Sequence, residues 1–475
     1  MNPNELKKSQ FEILLDHTKD FYPFQSEEGV SFCEITQDNI KLNLSTEEQT
    51  FRKAILDRYY AYTKSLPDDK CLDKFIQYIS YQGSKNPREK IHIRIGKYEN
   101  EIYYDLGNDQ FVKITKDGWF LVNQSPIRFV RAGTMKANCT PQMGGNIQLL
   151  KQFLNIESEE SFIILICYLL GTLWPSKQYP LAIFQGPQGS AKSTATEIIK
   201  SLLDPATPSL RSLPYKEQDI FIACSKTHLV CYDNLSGIKP ALSDALCKIA
   251  TGCGISGRKL YTNADEYFIE VSRPMIINGI DNLTDRQDLA DRAVVLNFPK
   301  LAGESRRSST ELFKEFEETK PLIQGALFDG LSCALGEIAN IKLDATTRMT
   351  EFCYVACAGL KAYGYDPNYV ISVLLKNRHE TLSDSVLENP FGKAIVAFMD
   401  GKDRWEGTAS ELLKELEGQW PNIELPPWMR TSHCLSQTLG RMDSGLKSLG
   451  IQVDRRRSNH QRLIMLSKTP SHTSL

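Results

Sequence analysis

The 475-residue chain lacks the cysteine and histidine patterns that organise metal or disulfide proteins. Its twelve cysteines are scattered with no CxxC, and its seven histidines form no HExxH motif and no Cys/His cluster. Zinc sites and a disulfide framework are set aside, and reduced thiols in a cytoplasmic protein are expected. An excess of charge is missing as well: 56 Lys and Arg meet 58 Asp and Glu, for a formal net charge of −2. The chain as a whole is not drawn to nucleic acid or membrane, so any basic function must be local. Long apolar runs are absent. The longest, SFIILICYLLGTLW at 161–174, is too short to cross a bilayer and reads as a buried core helix. The opening MNPNELKKSQ has no hydrophobic signal core, and no repeat or low-complexity block occurs, so no membrane partner is expected. With 41% apolar residues, the chain can bury the cores of about two to four domains.

Residues 1–85 read as a mostly helical and polar unit, with FRKAILDRYYAYTKSL (51–66) apolar at helical spacing. Between 91 and 122 the apolar period changes to two. Turn signals at Gly96, GND (107–109) and KDG (116–118) predict a small antiparallel β unit, placed with its connector at 86–150. A helix over about 146–174 leads to LAIFQ, the first strand of a central block set at 151–385.

LAIFQ feeds GPQGSAKST, which feeds a helix starting near Ala191, the strand–loop–helix setting of a phosphate-binding loop. Gly186 and Gly189 permit the tight turn, Pro187, Gln188 and Ser190 complete its wall, and loop N–H groups point at phosphate. Lys192 supplies a mobile cation, Ser193 offers its hydroxyl to magnesium, and Thr194 closes the motif. Ala191 stands where the pattern wants glycine. One methyl is harmless at negative φ and costly in the left-handed region, and the residue pattern leaves both open.

Forty residues on, THLVCYDNLSG (227–237) is an apolar strand ending at Asp233, where a carboxylate can hold magnesium beside the loop. SGRKLYTNADEYFIEV (256–271) reads as a hairpin with Arg258 and Lys259 on its first arm. RPMIINGI ends a strand at Asn278, suited to touch the γ-phosphate or position water, and DLADRAVVLNFPKL (288–301) is a short helix with Arg292 followed by a strand. Plain structural roles exist for each: a cap at Asp233-Asn234, a turn at Asn278, an ion pair of Arg292 with Asp288 or Asp291, a solvated strand at Arg258 and Lys259.

Taken in order, these motifs carry a resemblance. GPQGSAKS is similar to the Walker A of the minichromosome-maintenance helicases, which also place alanine before the lysine. The run from the β unit to about residue 365 resembles the helicase-like AAA+ ATPases of bacterial prophages and mobile elements, including cassette chromosome helicases. It shares with them GW before PIRF, AKST, DNLSG, SDALCKIATG, GRKLYTN, RPMIING and DLADR. The resemblance implies Lys192 and Ser193 on ATP, Asp233 on Mg2+, Asn278 as sensor, Arg292 as an arginine finger reaching the next subunit, and the hairpin lining a channel. One departure stands out: Asn234 occupies the place of the family's water-polarising glutamate, and asparagine is no general base. Asp244, Glu217 and Asp219 are candidate substitutes.

From 386 to 468 the pattern is helix, helix (408–420), helix (431–450) and a hairpin, IQVDRRRSNHQRLIMLS, which resembles a winged helix-turn-helix. Between 430 and 468 the eight cations Arg430, Arg441, Lys447, Arg455, Arg456, Arg457, Arg462 and Lys468 face only Asp443 and Asp454, a local +6. Phosphate contact by Arg441, Lys447, Arg455, Arg456, Arg457 and Arg462 is expected, and residues 469–475 read as a tail. The expected fold is α/β: an AAA+ P-loop ATPase core between an N-terminal helical and β region and a C-terminal winged helix. The expected function is a ring-forming, homo-hexameric, ATP-dependent DNA helicase or translocase in mobile-element or prophage replication, with a primase or polymerase as further partner. The alternative is a nucleotide-switched DNA-binding initiator or loader that hydrolyses ATP weakly and does not unwind.

Overall fold

A computed structural model describes residues 8–37, 40–108, 110–258, 266–280, 283–284, 286–301, 307–419, 431–458 and 461–468. Helix α1 (Gln10–His17) starts from a capping box in which Ser9 and Glu12 satisfy each other's backbone N–H groups. β1 (Tyr22–Ser26), β2 (Ser31–Gln37) and β3 (Ile40–Ser45) follow, then α2 (Gln49–Thr63), α3 (Asp69–Gly83) and β4 (Arg88–Glu89). The sheet runs β3-β2-β1-β4, with Phe51, Ile55, Leu72, Phe75 and Ile79 of the two helices in one core with Cys33 and Ile35. Three helices stand in 1–85, as expected, but they pack on a sheet that the residue pattern does not show. These strands are short and half polar, so their period of two does not stand out until the helices bury one face.

β5 (Ile91–His92) precedes an antiparallel meander of β6 (Ile95–Tyr98), β7 (Glu101–Asp105), β8 (Phe111–Thr115) and β9 (Gly118–Val122), as the residue pattern predicts. β10 (Arg128–Phe129) then returns to pair with β5. Gly96, read as a turn, lies within β6. A Cβ there would stand 2.7 Å from His92 Nδ1, so the glycine makes room for an imidazole ring.

The predicted long helix at 146–174 is broken. A 3-10 turn spans Ile147–Phe153, and Ser158 then caps α4 (Glu159–Leu173), whose residues Phe162 to Leu173 are all buried. Next come β11 (Leu181–Gln185), α5 (Lys192–Leu203), α6 (Glu217–Ser225), β12 (Val230–Leu235), α7 (Pro240–Thr251), β13 (Gly254–Arg258), β14 (Glu266–Glu270), β15 (Met275–Gly279), α8 (Gln287–Ala290) and β16 (Ala293–Asn297). The central sheet is parallel throughout in the order β12-β15-β11-β16, and Arg211 adds a parallel bridge outside β12 at Tyr232. Strands buried on both faces explain the near-continuous apolar runs LAIF, VCY, MII and AVVL.

α9 (Ser309–Glu337), α10 (Thr350–Leu360) and α11 (Pro367–Glu388) complete this body. Among the described residues one helical stretch, Ser309–Asn340, is long and apolar enough to cross a membrane, and 56% of its apolar window is buried in the fold. Trp119 of β9 donates to Asp329 of α9 at 2.9 Å, and Tyr104 packs on Phe328. The β unit therefore shares one core with the central sheet, and no break in the core falls at the expected boundary at 150.

A separate core runs from Val386 to Leu466. It unites α12 (Pro390–Phe398), β17 (Arg404–Thr408), α13 (Ala409–Gln419), α14 (Ser432–Arg441), α15 (Asp443–Ser448), β18 (Ile451–Ser458) and β19 (Gln461–Lys468). The single helix expected over 431–450 is split at Met442, and β17 joins the hairpin as a third strand. α15 rests on α11 and α8. Gln287 donates to Met442 O at 3.1 Å, and a Cβ on Gly445 would lie 2.1 Å from Gln287 Nε2. All twelve cysteines are free, and only Cys253 is exposed.

Candidate functional site

The loop between β11 and α5 is held by close backbone contacts. A Cβ on Gly186 would meet Phe298 O at 2.2 Å, and Asn155 Nδ2 donates to Ser190 O at 3.1 Å and to Pro299 O at 2.6 Å. Gly189 has φ +79°, and Ala191 itself sits in the left-handed region at φ +65°. The question left by the residue pattern is answered on the costly side: alanine is strained here, by about 1–2 kcal/mol. Lys192 folds back over the loop, its Nζ 2.8 Å from Gly186 O, 2.9 Å from Pro187 O and 3.1 Å from Ser190 Oγ. Burial holds its ammonium below the usual lysine range, and the charge of Asp233 opposes that shift.

β12 brings its carboxylate to the first turn of α5: Ser193 Oγ donates to Asp233 Oδ1 at 2.8 Å. Immediately after it the backbone turns left-handed at Asn234, φ +59°, and the register with β15 shifts between Tyr232 and Leu235. Asparagine tolerates that conformation far better than glutamate, a local reason for the residue at 234. Asn278, buried at the end of β15, accepts the Asn234 N–H at 2.9 Å and donates to Thr196 Oγ1 of α5 at 3.1 Å. It is a cross-brace between β12 and α5.

Of the residues singled out in the sequence, Lys192, Ser193, Asp233, Asn234 and Asn278 gather at this edge of the sheet. Arg292 does not. Its neighbour Ala293 pairs with Leu181, the first residue of β11, whereas the loop leaves after Gln185 at the strand's other end. Arg292 Nη1 instead donates to Asp288 O at 2.7 Å and lies 3.6 Å from the Asp288 carboxylate. Glu217 and Asp244 are engaged by Lys248 and Arg286, both at 2.7 Å, and Asp219 is exposed on α6. The carboxylate that shares Asp233's surroundings is Glu197 of α5, which the sequence reading missed. Burial lifts its carboxyl above the usual range, and Asp233 adds to the rise. Its spacing, four residues after Ser193, was the available signal.

The far end of α5 is also charged, and closed. Asp204 caps it, accepting from Arg94 Nε at 2.9 Å, Lys200 Nζ at 2.8 Å and the N–H groups of His228 and Leu229 at 3.1 and 3.0 Å. Burial alone would push the Asp204 carboxyl up. Lys200 and Arg94 overcome this and hold it well below the usual range.

Arg441, Lys447, Arg455, Arg456, Arg457 and Arg462 are all exposed. Lys447 pairs with Asp443 and Arg455 reaches Ser436 O, while Arg457 and Arg462 face each other across the β18–β19 ladder. Like charges directly opposite are unfavourable in isolation. Lys259 lies outside the described residues, and of Arg258 only the backbone pairing with Glu266 is described.

The architecture is that of a mixed α/β protein with a glycine-bearing loop leading from a strand of a parallel sheet into a helix. Residues 147–367 match the family described as actinomycete integrative conjugative element replication protein, and residues 391–474 match the RepA C-terminal domain of the same elements. Over these two stretches the chain is similar to that replication-protein family. The expected place in mobile-element replication is thereby supported. No curated protein matches the chain. Two apo structures of the NrS-1 C-terminal region align with 97% and 99% of this chain and 98% and 100% of theirs, at 13% and 12% identity and TM-scores of 0.40 and 0.41. A likeness that loose carries no argument about function.

Proposed function

We propose that this replication protein is an ATP- and magnesium-dependent DNA helicase or translocase built on an AAA+ P-loop core, with a winged-helix unit at its C-terminal end. The carrying observation is the 2.8 Å contact of Ser193 with Asp233, made beside Lys192 at the N-terminus of α5. A phosphate chain belongs at that terminus, where free N–H groups and the helix dipole favour negative charge. Lys192 has only carbonyl and hydroxyl oxygens to leave, so it is free to swing onto phosphate. Among the described residues no group of three or more His, Cys, Asp or Glu gathers to hold a metal alone. That suits magnesium, which takes one or two protein groups and completes its shell with phosphate and water. Ser193 and Asp233 would hold it, and it would neutralise charge developing on the transferred phosphate.

Asn278 fixes the bend after Asp233, and Arg292, remote from its own loop, is assigned to the nucleotide of the next subunit in a homo-hexameric ring. DNA is assigned to the channel hairpin with Arg258 and Lys259, and to Arg441, Lys447, Arg455, Arg456, Arg457 and Arg462. A cytoplasmic site of action and a primase or polymerase of the same element complete the reading.

The test is ATP hydrolysis and unwinding of a forked duplex by the whole protein. Lys192→Ala should lower turnover by about a hundredfold or more, as losses of a charge-stabilising donor do, without unfolding the chain. Full hydrolysis by that variant removes the P-loop assignment. One observation favours a second reading: left-handed Asn234 presents no carboxylate to activate water. ATP-dependent DNA binding without strand separation would mark a nucleotide-switched initiator or loader.

A further inference from the structure

The proposed magnesium position has an acidic neighbour with nothing to answer it. Ser193 and Glu197 stand one turn apart on the same face of α5, a spacing that puts side chains above one another. Side chains on a helix lean toward its N-terminus, which puts Ser193 on the side toward which a glutamate at 197 extends by preference. Ser193 is itself bonded to Asp233, and Glu197 lies within electrostatic reach of that carboxylate. Among the described residues the Glu197 carboxylate has no hydrogen bond and no ion pair, although it is half-buried. The other acids considered for this edge are already taken: Glu217 by Lys248 and Asp244 by Arg286. Two neighbouring carboxylates and a hydroxyl, with no cation committed to the second acid, leave negative charge that a divalent ion can balance.

We infer that Glu197 is a positioning residue for magnesium, accepting a hydrogen bond from a water of the ion's shell beside Ser193 and Asp233. This rests on the nucleotide-site reading above. It also gives the chain a second acid at this edge where Asn234 offers none, without making Glu197 the base that takes a proton from the attacking water. Outer-shell acids of this kind orient the bound water and raise the affinity of the site for its ion.

The test is binding of a fluorescent N-methylanthraniloyl ATP to the full chain, in EDTA and across a magnesium titration. Glu197→Gln keeps the shape and removes the charge. The magnesium concentration for half-maximal binding should rise by about tenfold. Binding in EDTA should stay the same or tighten, because a negative charge near the triphosphate has gone. Opposite movements of this kind do not follow from a packing role, which would weaken both. Glu197→Asp, with the charge on a shorter stem, should recover part of the magnesium affinity. Wild-type magnesium dependence in Glu197→Gln, or equal losses with and without magnesium, overturns the assignment of Glu197 alone. If the unaltered protein shows no magnesium-dependent nucleotide binding, or Asp233→Ala leaves that dependence untouched, the nucleotide-site reading falls and this inference with it.

Discussion

At its N-terminal end α5 leaves Lys192 resting on backbone oxygens, Ser193 exposed against Asp233, and Glu197 unanswered. At its C-terminal end the charges of Lys200, Asp204 and Arg94 are buried and each is met by hydrogen bonds or an opposite charge. Both ends hold cations and carboxylates on one helix. The difference is satisfaction: the closed end uses its polar groups to hold α5 to the start of β12 and to the β unit, while the open end leaves them incompletely paired. Charge alone therefore does not mark a site. Incomplete pairing, at the edge where strands end and a helix begins, does.

The largest test of this contrast removes Asp204. Asp204→Ala strands two buried cations and two N–H groups and should cost about 3–5 kcal/mol in urea unfolding. Lys192→Ala at the open end should cost far less stability while abolishing turnover. Equal stability losses at both ends would erase the distinction. A smaller effect comes from pH. Burial pushes His228 down to about 4 from an ordinary value of 6.5. The unfolded chain then binds a proton that the native state refuses, so stability should fall as pH drops from 6.5 toward 4, by at most about 3 kcal/mol for this group. His92, also held near 4 by burial, adds a loss of the same sign. Urea midpoints at pH 7 and pH 5 check this, and His228→Gln should flatten part of the slope. The smallest change is Ala191→Gly. Releasing the left-handed strain gains about 1–2 kcal/mol, offset by about 0.4–1 kcal/mol of added freedom in the unfolded chain. A net gain of about 0–1.6 kcal/mol is expected in urea unfolding, and a net loss would contradict the left-handed geometry at Ala191.

The open end was legible in the sequence because its parts are local. A strand, a glycine-bearing loop and Lys192-Ser193 lie within a dozen residues, and Asp233 and Asn278 each end an apolar run. The closed end was not, because Arg94 and Asp204 are separated by 110 positions and neither belongs to a short motif. Glu197 was hidden for another reason: its spacing to Ser193 is visible, but only the fold shows that Ser193 on that face meets Asp233. The strands of the first unit escaped because half of each is polar, and the split at Met442 because helical spacing carries on through it. The sequence also could not decide the φ of Ala191, which is set by the turn that follows Gly189.

Seven of the twelve cysteines are buried, four are partly covered, and Cys253 alone is exposed, directly ahead of the β13–β14 hairpin. Burial pushes the thiols of Cys224, Cys231 and Cys357 up to about 12, far from the reactive form. A maleimide dye added to the native protein thus has one preferred address. The chain carries its own attachment point for a spectroscopic reporter at the root of the hairpin, with no residue altered to create it.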